Sequence, residues 1–328
     1  MALWLTRADV RSVLTMADAI DAVAAAFRLL SAGQAILPLR TNVPVTPHRG
    51  SLLAMPAYLG DNIDGLGVKL ITFYGDNPQT FNRPAIQGNF VLFDAQNGRL
   101  LAVMEAGLMT AIRTGASGGV AARYLARPDA AVVTIFGSGA QAPHQLEAVL
   151  CERPIERVWV LSRNAQNGER FAAEMAERFA IPVQSTGDAE MAVAAADIVI
   201  TASSSHEPLF DGDWLRPGTH ITAIGSHLPT AREVDSRTIQ RATVVTDQTS
   251  ACLAEAGDLI IPLAAGEIDQ SHIRAEIGEI VAGHKPGRTS PEEITFFKSV
   301  GLAVQDVAVA CLVLAKAQAA GVGTTLDE

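Results

Sequence analysis

Four stretches of this chain hold residue types out of keeping with their surroundings: Lys69 in GLGVKLITF, Arg113 in MTAIRTGASGG, the Gly137-Ser138-Gly139 turn after AVVTIF, and His227 in TAIGSHLP. An ammonium inside an otherwise apolar strand is costly unless a partner or a functional pocket compensates it, so Lys69 points to ionic chemistry. The alternative is an edge lysine whose stem packs while its amine reaches solvent. Arg113 offers a guanidinium suited to bidentate carboxylate recognition, in a segment whose glycines cost helix stability unless close packing requires them. His227 either moves a proton near neutrality or fills a turn.

Gly137-Ser138-Gly139-Ala140-Gln141-Ala142 follows a short β-branched strand and opens a helix. In that setting the first glycine permits a tight turn, the second lets backbone N–H groups approach a pyrophosphate, and a small third residue lets helix pack on strand. The helix N-terminus then binds the anion. The next strand ends Leu161-Ser162-Arg163-Asn164, without the carboxylate that would accept from the ribose 2′-hydroxyl of NAD. An arginine between a hydroxyl and an amide can hold a 2′-phosphate instead, which makes NADP(H) the expected cofactor and NAD(H) the alternative. Arg163 as a solvated surface residue is the plainer reading.

The elements that must position these groups fall into two kinds. Apolar residues recurring at Ala19, Val23, Ala26, Phe27 and Leu30 predict an amphipathic helix begun by Thr15 and Asp18. Strands are expected at 51–59, 65–74, 86–94 and 99–105, the last two joined as a hairpin through Asn97-Gly98. From about residue 131 strand, turn and helix alternate through RVWVLS, IPVQST, DIVITAS and HITAIG, the grammar of a parallel sheet, completed by EAGDLI and a helix after Ile273. Residues 300–317 predict a helix apolar on nearly every face, hence buried between domains or against a second subunit.

Composition bounds the partners. With 48% hydrophobic and 18% charged residues the chain of 328 can bury a large core, and its net charge of -10 without any basic stripe argues against nucleic acid and anionic membranes. Small molecules are the expected ligands. Cys151, Cys252 and Cys311 are far apart among apolar residues and read as buried free thiols in a reducing compartment. The N-terminus forms no signal-peptide apolar region, which places the protein in the cytoplasm. The seven histidines show no metal-binding spacing, so no metal site is expected.

GSGAQA, MTAIRTGASGGVAARYLA (109–126), GSHLPTAREVD (225–235), EAGDL (255–259) and ITFFKSVGLAVQD (294–306), in that order, resemble the ornithine cyclodeaminase/mu-crystallin family over essentially the whole chain. The resemblance implies an α/β fold with a Rossmann dinucleotide-binding domain, 117–304, inserted in an α+β substrate-binding and dimerisation domain, 1–116 plus 305–328. It implies that Arg40, Lys69 and Arg113 turn toward a substrate carboxylate, that Met55 lines that pocket, and that Arg113, Thr114, Ser203, Ile224 and Gly225 lie along the cofactor. A homodimer in which two substrate domains join their sheets is the implied assembly.

The family includes cyclodeaminases, alanine dehydrogenases, cyclic ketimine reductases and a non-catalytic binding crystallin. Its cyclodeaminases carry Asp where this chain has His227, and a histidine offers much less to the distal ammonium of ornithine. Cyclodeaminases also recycle bound NAD⁺, which the Ser162-Arg163-Asn164 ending does not favour. A third departure is Ala85, where a hydroxyl residue is expected. The reading is therefore reduction of a cyclic 2-imino acid such as Δ1-pyrroline-2-carboxylate or Δ1-piperideine-2-carboxylate to the L-amino acid, with Arg113 and Arg40 clamping the carboxylate. Lys69 or His227 gives the proton to nitrogen. Ornithine cyclodeaminase, an alanine dehydrogenase-like enzyme and a non-catalytic binding protein are the alternatives.

Overall fold

The computed structural model describes residues 2–326. It divides into two compact units, one running up to Arg113 and resuming at Leu302, the other spanning Thr114–Gly301.

In the first unit, long strands Gly50–Leu59, Gly65–Tyr74, Ile86–Asp94 and Leu100–Glu105 form an antiparallel meander. Among the described residues its sheet has eight strands. Ala2–Leu5 extends it parallel to Leu100–Glu105, Thr324–Leu326 closes that edge, and Ala35–Ile36 and Thr41–Val45 pair with Gly50–Leu59 at the other. Asn97-Gly98 belongs to a longer connection than a two-residue turn. Asp94 N–H donates to the Arg99 carbonyl, and the Asp94 carboxylate accepts from Gln96 N–H and Asn97 Nδ2.

Helices Met16–Ser31 and Ala303–Ala320 pack on one another, and the latter lies on strands Gly50–Leu59 and Gly65–Tyr74. Met16–Ser31 starts where Thr15 accepts from Asp18 N–H, and it buries Ala19, Ile20, Val23, Ala26 and Phe27. The C-terminal helix begins at Ala303, not at 300, because Gly301 is left-handed at φ 79° and Leu302 is extended. It is long and apolar enough to span a membrane by length and composition alone. Buried Gln305 and Asp306 in its first turn, paired within the unit, are what a core helix carries.

The second unit holds a parallel eight-stranded sheet, in spatial order Val183–Ser185, Arg157–Leu161, Val132–Phe136, Ile198–Thr201, His220–Ala223, Thr295–Lys298, Thr243–Thr246 and Ile273–Glu276. Its first five strands have the order third, second, first, fourth, fifth of a Rossmann sheet, so the topological switch lies beside Val132–Phe136. Val133, Ile135, Val158, Val160, Ile198 and Ile200 face one core, while Phe136, Leu161, Val199 and Ile221 face another. Burial on both faces explains the near-continuous apolar runs.

Two expectations need correction here, and one strand, TFFK, was not anticipated in the sequence. Residues 273–276 form a strand rather than starting a helix, which begins only at Ile277. TFFK is a central strand, inserted between two others and therefore apolar without helical period. Of the cysteines only Cys252 is buried; Cys151, in the last turn of helix Ala142–Glu152, is exposed, and Cys311 is partly exposed.

Candidate active site

The first unit holds an ionic cluster. Lys69 lies midway along strand Gly65–Tyr74, with Met55 opposite it on one neighbouring strand and Phe90 on the other. That environment leaves its ammonium 1% exposed, with Nζ donating to Asp306 Oδ2 at 2.7 Å. Arg113, also buried, donates from Nε to Asp306 Oδ1 at 3.0 Å and from one terminal nitrogen to Gln305 Oε1 at 2.7 Å. Two cations thus share one carboxylate, and Arg40, partly buried just before strand Thr41–Val45, adds its charge. Burial, then the Arg113 and Arg40 charges, outweigh Asp306 and lower the Lys69 amine to about 8. The result is a cluster with a surplus of positive charge.

The second unit holds the glycine turn. Gly137 has φ 112°, and a Cβ there would meet the Ala202 carbonyl at 2.4 Å, so glycine is required both by conformation and by the close approach of the neighbouring strand end. A Cβ on Gly139 would meet nothing within 4 Å, leaving the backbone open to an incoming group. Helix Ala142–Glu152 follows, with Ala140 and Gln141 in the connecting turn and Ala142 fully buried. The Gln141 side-chain oxygen is buried without a partner. A glycine turn with an open backbone ahead of a helix N-terminus fits a dinucleotide pyrophosphate. The Gly115 and Gly118 positions lie against His144 and Gln145 of that helix, where a Cβ would approach to 2.5 and 2.1 Å, and Gln145 Nε2 donates to the Thr114 carbonyl. These contacts account for the small residues of 109–126.

At the ribose end Ser162 Oγ lies 2.9 Å from Ser138 Oγ, Arg163 is exposed, and the Asn164 side chain accepts from Asn167 N–H as the cap of helix Ala165–Phe179. That oxygen is therefore committed to the helix, which leaves Arg163 as the cationic group of the three.

Ser203, Ile224 and Gly225 lie just past strands Ile198–Thr201 and His220–Ala223, held by a residue that sequence reasoning passed over. Fully buried Glu233 accepts from Thr201 Oγ1, Ser203 N–H and Oγ, Gly225 N–H and Ser226 N–H, at 2.7 to 3.2 Å. Asp258 in turn accepts from Glu233 N–H and pairs with buried Lys298 at 2.7 Å, and Lys298 donates to the Ser226 carbonyl. Although burial opposes its charge, Asp258 and Glu233 raise the Lys298 amine above its usual value. His227, next along, is exposed, and its Nδ1 lies 3.3 Å from the Gly225 carbonyl.

The structure thus brings Arg40, Met55, Lys69 and Arg113 together in one unit and the glycine turn, Ser203, Ile224 and Gly225 to the strand ends of the other. Missing from the sequence reading were Gln305 and Asp306 in the first unit and Glu233, Asp258 and Lys298 in the second. For Lys298 and Asp306 the available signal was a charged residue inside an apolar run, the same one that singled out Lys69; Glu233 and Asp258 lie in polar segments and gave no such signal.

A model of the ornithine cyclodeaminase/mu-crystallin family matches residues 2–321. The chain is 38% identical over 318 residues to a Δ1-pyrroline-2-carboxylate reductase of Bacillus cereus, covering 97% of each protein. The solved structure of Thermococcus litoralis Δ1-pyrroline-2-carboxylate reductase in complex with NADH and L-proline superposes with a TM-score of 0.94 at 42% identity, covering 99% of this chain and all of that one. An archaeal alanine dehydrogenase dimer with bound NAD superposes at 0.92 with 35% identity, covering 99% of each chain. Family match, Rossmann strand order and paired buried cations agree: the chain belongs to the ornithine cyclodeaminase/mu-crystallin family.

Proposed function

We propose that the chain is an NAD(P)H-dependent reductase of cyclic 2-imino acids of the Δ1-pyrroline-2-carboxylate type, producing L-amino acids such as L-proline. The observation that carries this reading is the Lys69–Asp306–Arg113 cluster, in which one carboxylate serves two buried cations. Such a cluster accepts a second carboxylate, that of the substrate, on Arg113, with Arg40 beside it. A diamino acid would instead bring another cation to groups whose carboxylate is already engaged. That argues against ornithine, as does a histidine rather than an aspartate at 227.

The dinucleotide, when bound, supplies the hydride. The first unit does the rest of the chemistry. Arg113 orients the ring by its carboxylate, and Met55, buried opposite Lys69, supplies an apolar wall. Lys69 Nζ gives its proton to the ring nitrogen as the C=N π bond is lost and C–H and N–H bonds form, leaving a neutral amine that regains a proton from solvent. Lys69 is assigned this step over His227 because it is buried, held by Asp306 and lowered to about 8. Gly137, Ser138, Gly139, Ala140 and Gln141 would hold the pyrophosphate, and Thr114, Ser203, Ile224 and Gly225 would follow the chain of the cofactor.

Known relatives carry NADH or NAD. We assign a preference for NADP(H) to Arg163, which replaces the expected ribose-binding carboxylate. Arg163→Ala should weaken NADPH binding by about tenfold or more while barely changing NADH, since only the former carries the 2′-phosphate. Equal losses for both would remove the preference.

The same unit exposes Ile36, Leu39, Val43, Leu70, Phe73, Phe81 and Ile86 on or beside its strands. A second copy covering this apolar set would form a homodimer, which sedimentation at micromolar concentration would detect. The function itself is tested by following NADH and NADPH oxidation against cyclic and acyclic imino acids, with ammonia release from ornithine as the control. Rapid reduction of the cyclic substrates is expected; ammonia release without net dinucleotide turnover would reassign the chain to the cyclodeaminases.

A further inference from the structure

Asp306 occupies the first turn of helix Ala303–Ala320, fully buried, and its two oxygens do different work: Oδ2 takes the hydrogen bond from Lys69 at 2.7 Å and Oδ1 that from Arg113 at 3.0 Å. The preceding residue holds the other edge of the guanidinium, Gln305 Oε1 accepting from Arg113 at 2.7 Å and from Leu302 N–H at 3.0 Å. Consecutive residues of one helical turn therefore fix both cations. A carboxylate near a helix N-terminus is also favoured by the helix dipole.

We propose that Asp306 is a positioning residue for the imine reduction, fixing the direction of the Lys69 ammonium and dividing its own charge between Lys69 and Arg113 so that Lys69 is held as an acid able to part with its proton. This inference rests on the proposed reduction. The charged groups acting on Lys69 are Asp306 from the C-terminal helix, Arg113 from helix Ala106–Leu125 and Arg40 from the segment before Thr41–Val45. The flanking strands contribute uncharged Met55 and Phe90. Lys298 is the converse case in this same protein: with Asp258 paired to it and Glu233 also acting on it, its amine is raised rather than lowered. The surrounding charges, two guanidiniums against one carboxylate at Lys69 and two carboxylates at Lys298, separate the two lysines rather than burial, since both are almost completely buried.

The chain has four lysines, Lys69, Lys285, Lys298 and Lys316, so side-chain NMR of lysine-labelled full-length protein resolves them, and Lys69→Arg identifies the relevant signal. In Asp306→Asn the Lys69 titration midpoint should fall by roughly one pH unit or more, because its only stabilising charge is gone. In Arg113→Gln it should rise, because the guanidinium charge that lowers it is gone and Asp306 is left to Lys69. The alkaline limb of kcat/KM for imine reduction should move with the midpoint in Asp306→Asn, giving about a tenfold loss at pH 8.5 that shrinks to within about threefold at pH 6. Asp306→Glu, which keeps the charge, should restore most of the midpoint. An unmoved midpoint, or a loss of activity equal at every pH, overturns the inference. Should Asp306→Asn fail to fold, the Arg113→Gln midpoint decides alone, and a midpoint that does not rise overturns the inference. A wild-type chain that reduces no imino acid sinks the functional reading instead, and the titrations still stand or fall by themselves.

Discussion

Two lysines of this protein are buried to almost the same extent, Lys69 at 1% and Lys298 at 0% exposure, and they do opposite things. Lys69 shares one carboxylate with Arg113 and feels Arg40, and its amine is lowered to about 8. Lys298 is enclosed by Asp258, Glu233 and the Ser226 carbonyl, and its amine is raised. Burial by itself does not tell a reactive amine from a structural one. The local count of charges does: a cation-rich cluster leaves the proton available, whereas an acid-rich cluster locks it in place.

The comparison breaks most visibly at Lys69. Lys69→Met should lower kcat for imine reduction by about 10³-fold or so, within the range for loss of a general acid, while NADH affinity measured by fluorescence stays close to wild type. If Lys69→Met retains most of the activity, the proton comes from elsewhere and the contrast loses its functional half.

Lys298→Met should act on stability. It leaves Asp258 buried without its cation, a change that costs about 3–5 kcal/mol, and should lower the melting temperature by roughly 10 °C. The alkaline limb of the remaining activity should stay where it is in wild type. Movement of that limb would make Lys298 part of the chemistry.

Stability against pH separates the pair by sign. For Lys69 the unfolded chain holds its proton up to about 10.5 but the folded chain releases it near 8, so this group's contribution to stability rises with pH across that window. For Lys298 the folded amine is raised above 10.5, so its contribution is complete below that value and is lost as pH climbs through the folded pKa. Melting curves of wild type, Lys69→Met and Lys298→Met between pH 7.5 and 10 should therefore show a contribution from Lys69 that rises with pH and one from Lys298 that stays flat, and a slope of the same sign for both would erase the distinction.

The smallest effect belongs to His227, exposed on its turn. With Lys69 as donor, His227→Ala should change kcat by less than about threefold and leave the pH profile alone, whereas a flattened profile near neutrality would return the proton to the histidine.

The nucleotide half was the more legible of the two in the sequence. A strand, a glycine turn and a helix are contiguous, so Gly137, Gly139 and Ala142 announce their geometry locally, and the alternation of apolar runs gave the parallel sheet. The ends of elements were less legible: TFFK is too short and too uniformly apolar to distinguish strand from helix, and Ile273–Glu276 had no turn signal to separate it from the helix behind it. Cys151 looked buried among apolar neighbours, yet its helix presents it outward.

What the sequence showed by itself was that Lys69 sits in an apolar strand where a bare ammonium is costly, that a glycine turn of the dinucleotide-binding kind was present, and that the C-terminal helix had to be covered. It could not say what Lys69 was paired with. Asp306 lies 237 residues further along, and Arg113 reaches the same carboxylate from a third element. A pKa depends on the charges within a few ångströms in space, and in a protein those come from elements that meet only once the chain has folded. Whether a buried lysine is lowered or raised is therefore decided by tertiary structure, here by the charges that Arg113, Asp306 and Arg40 bring to Lys69.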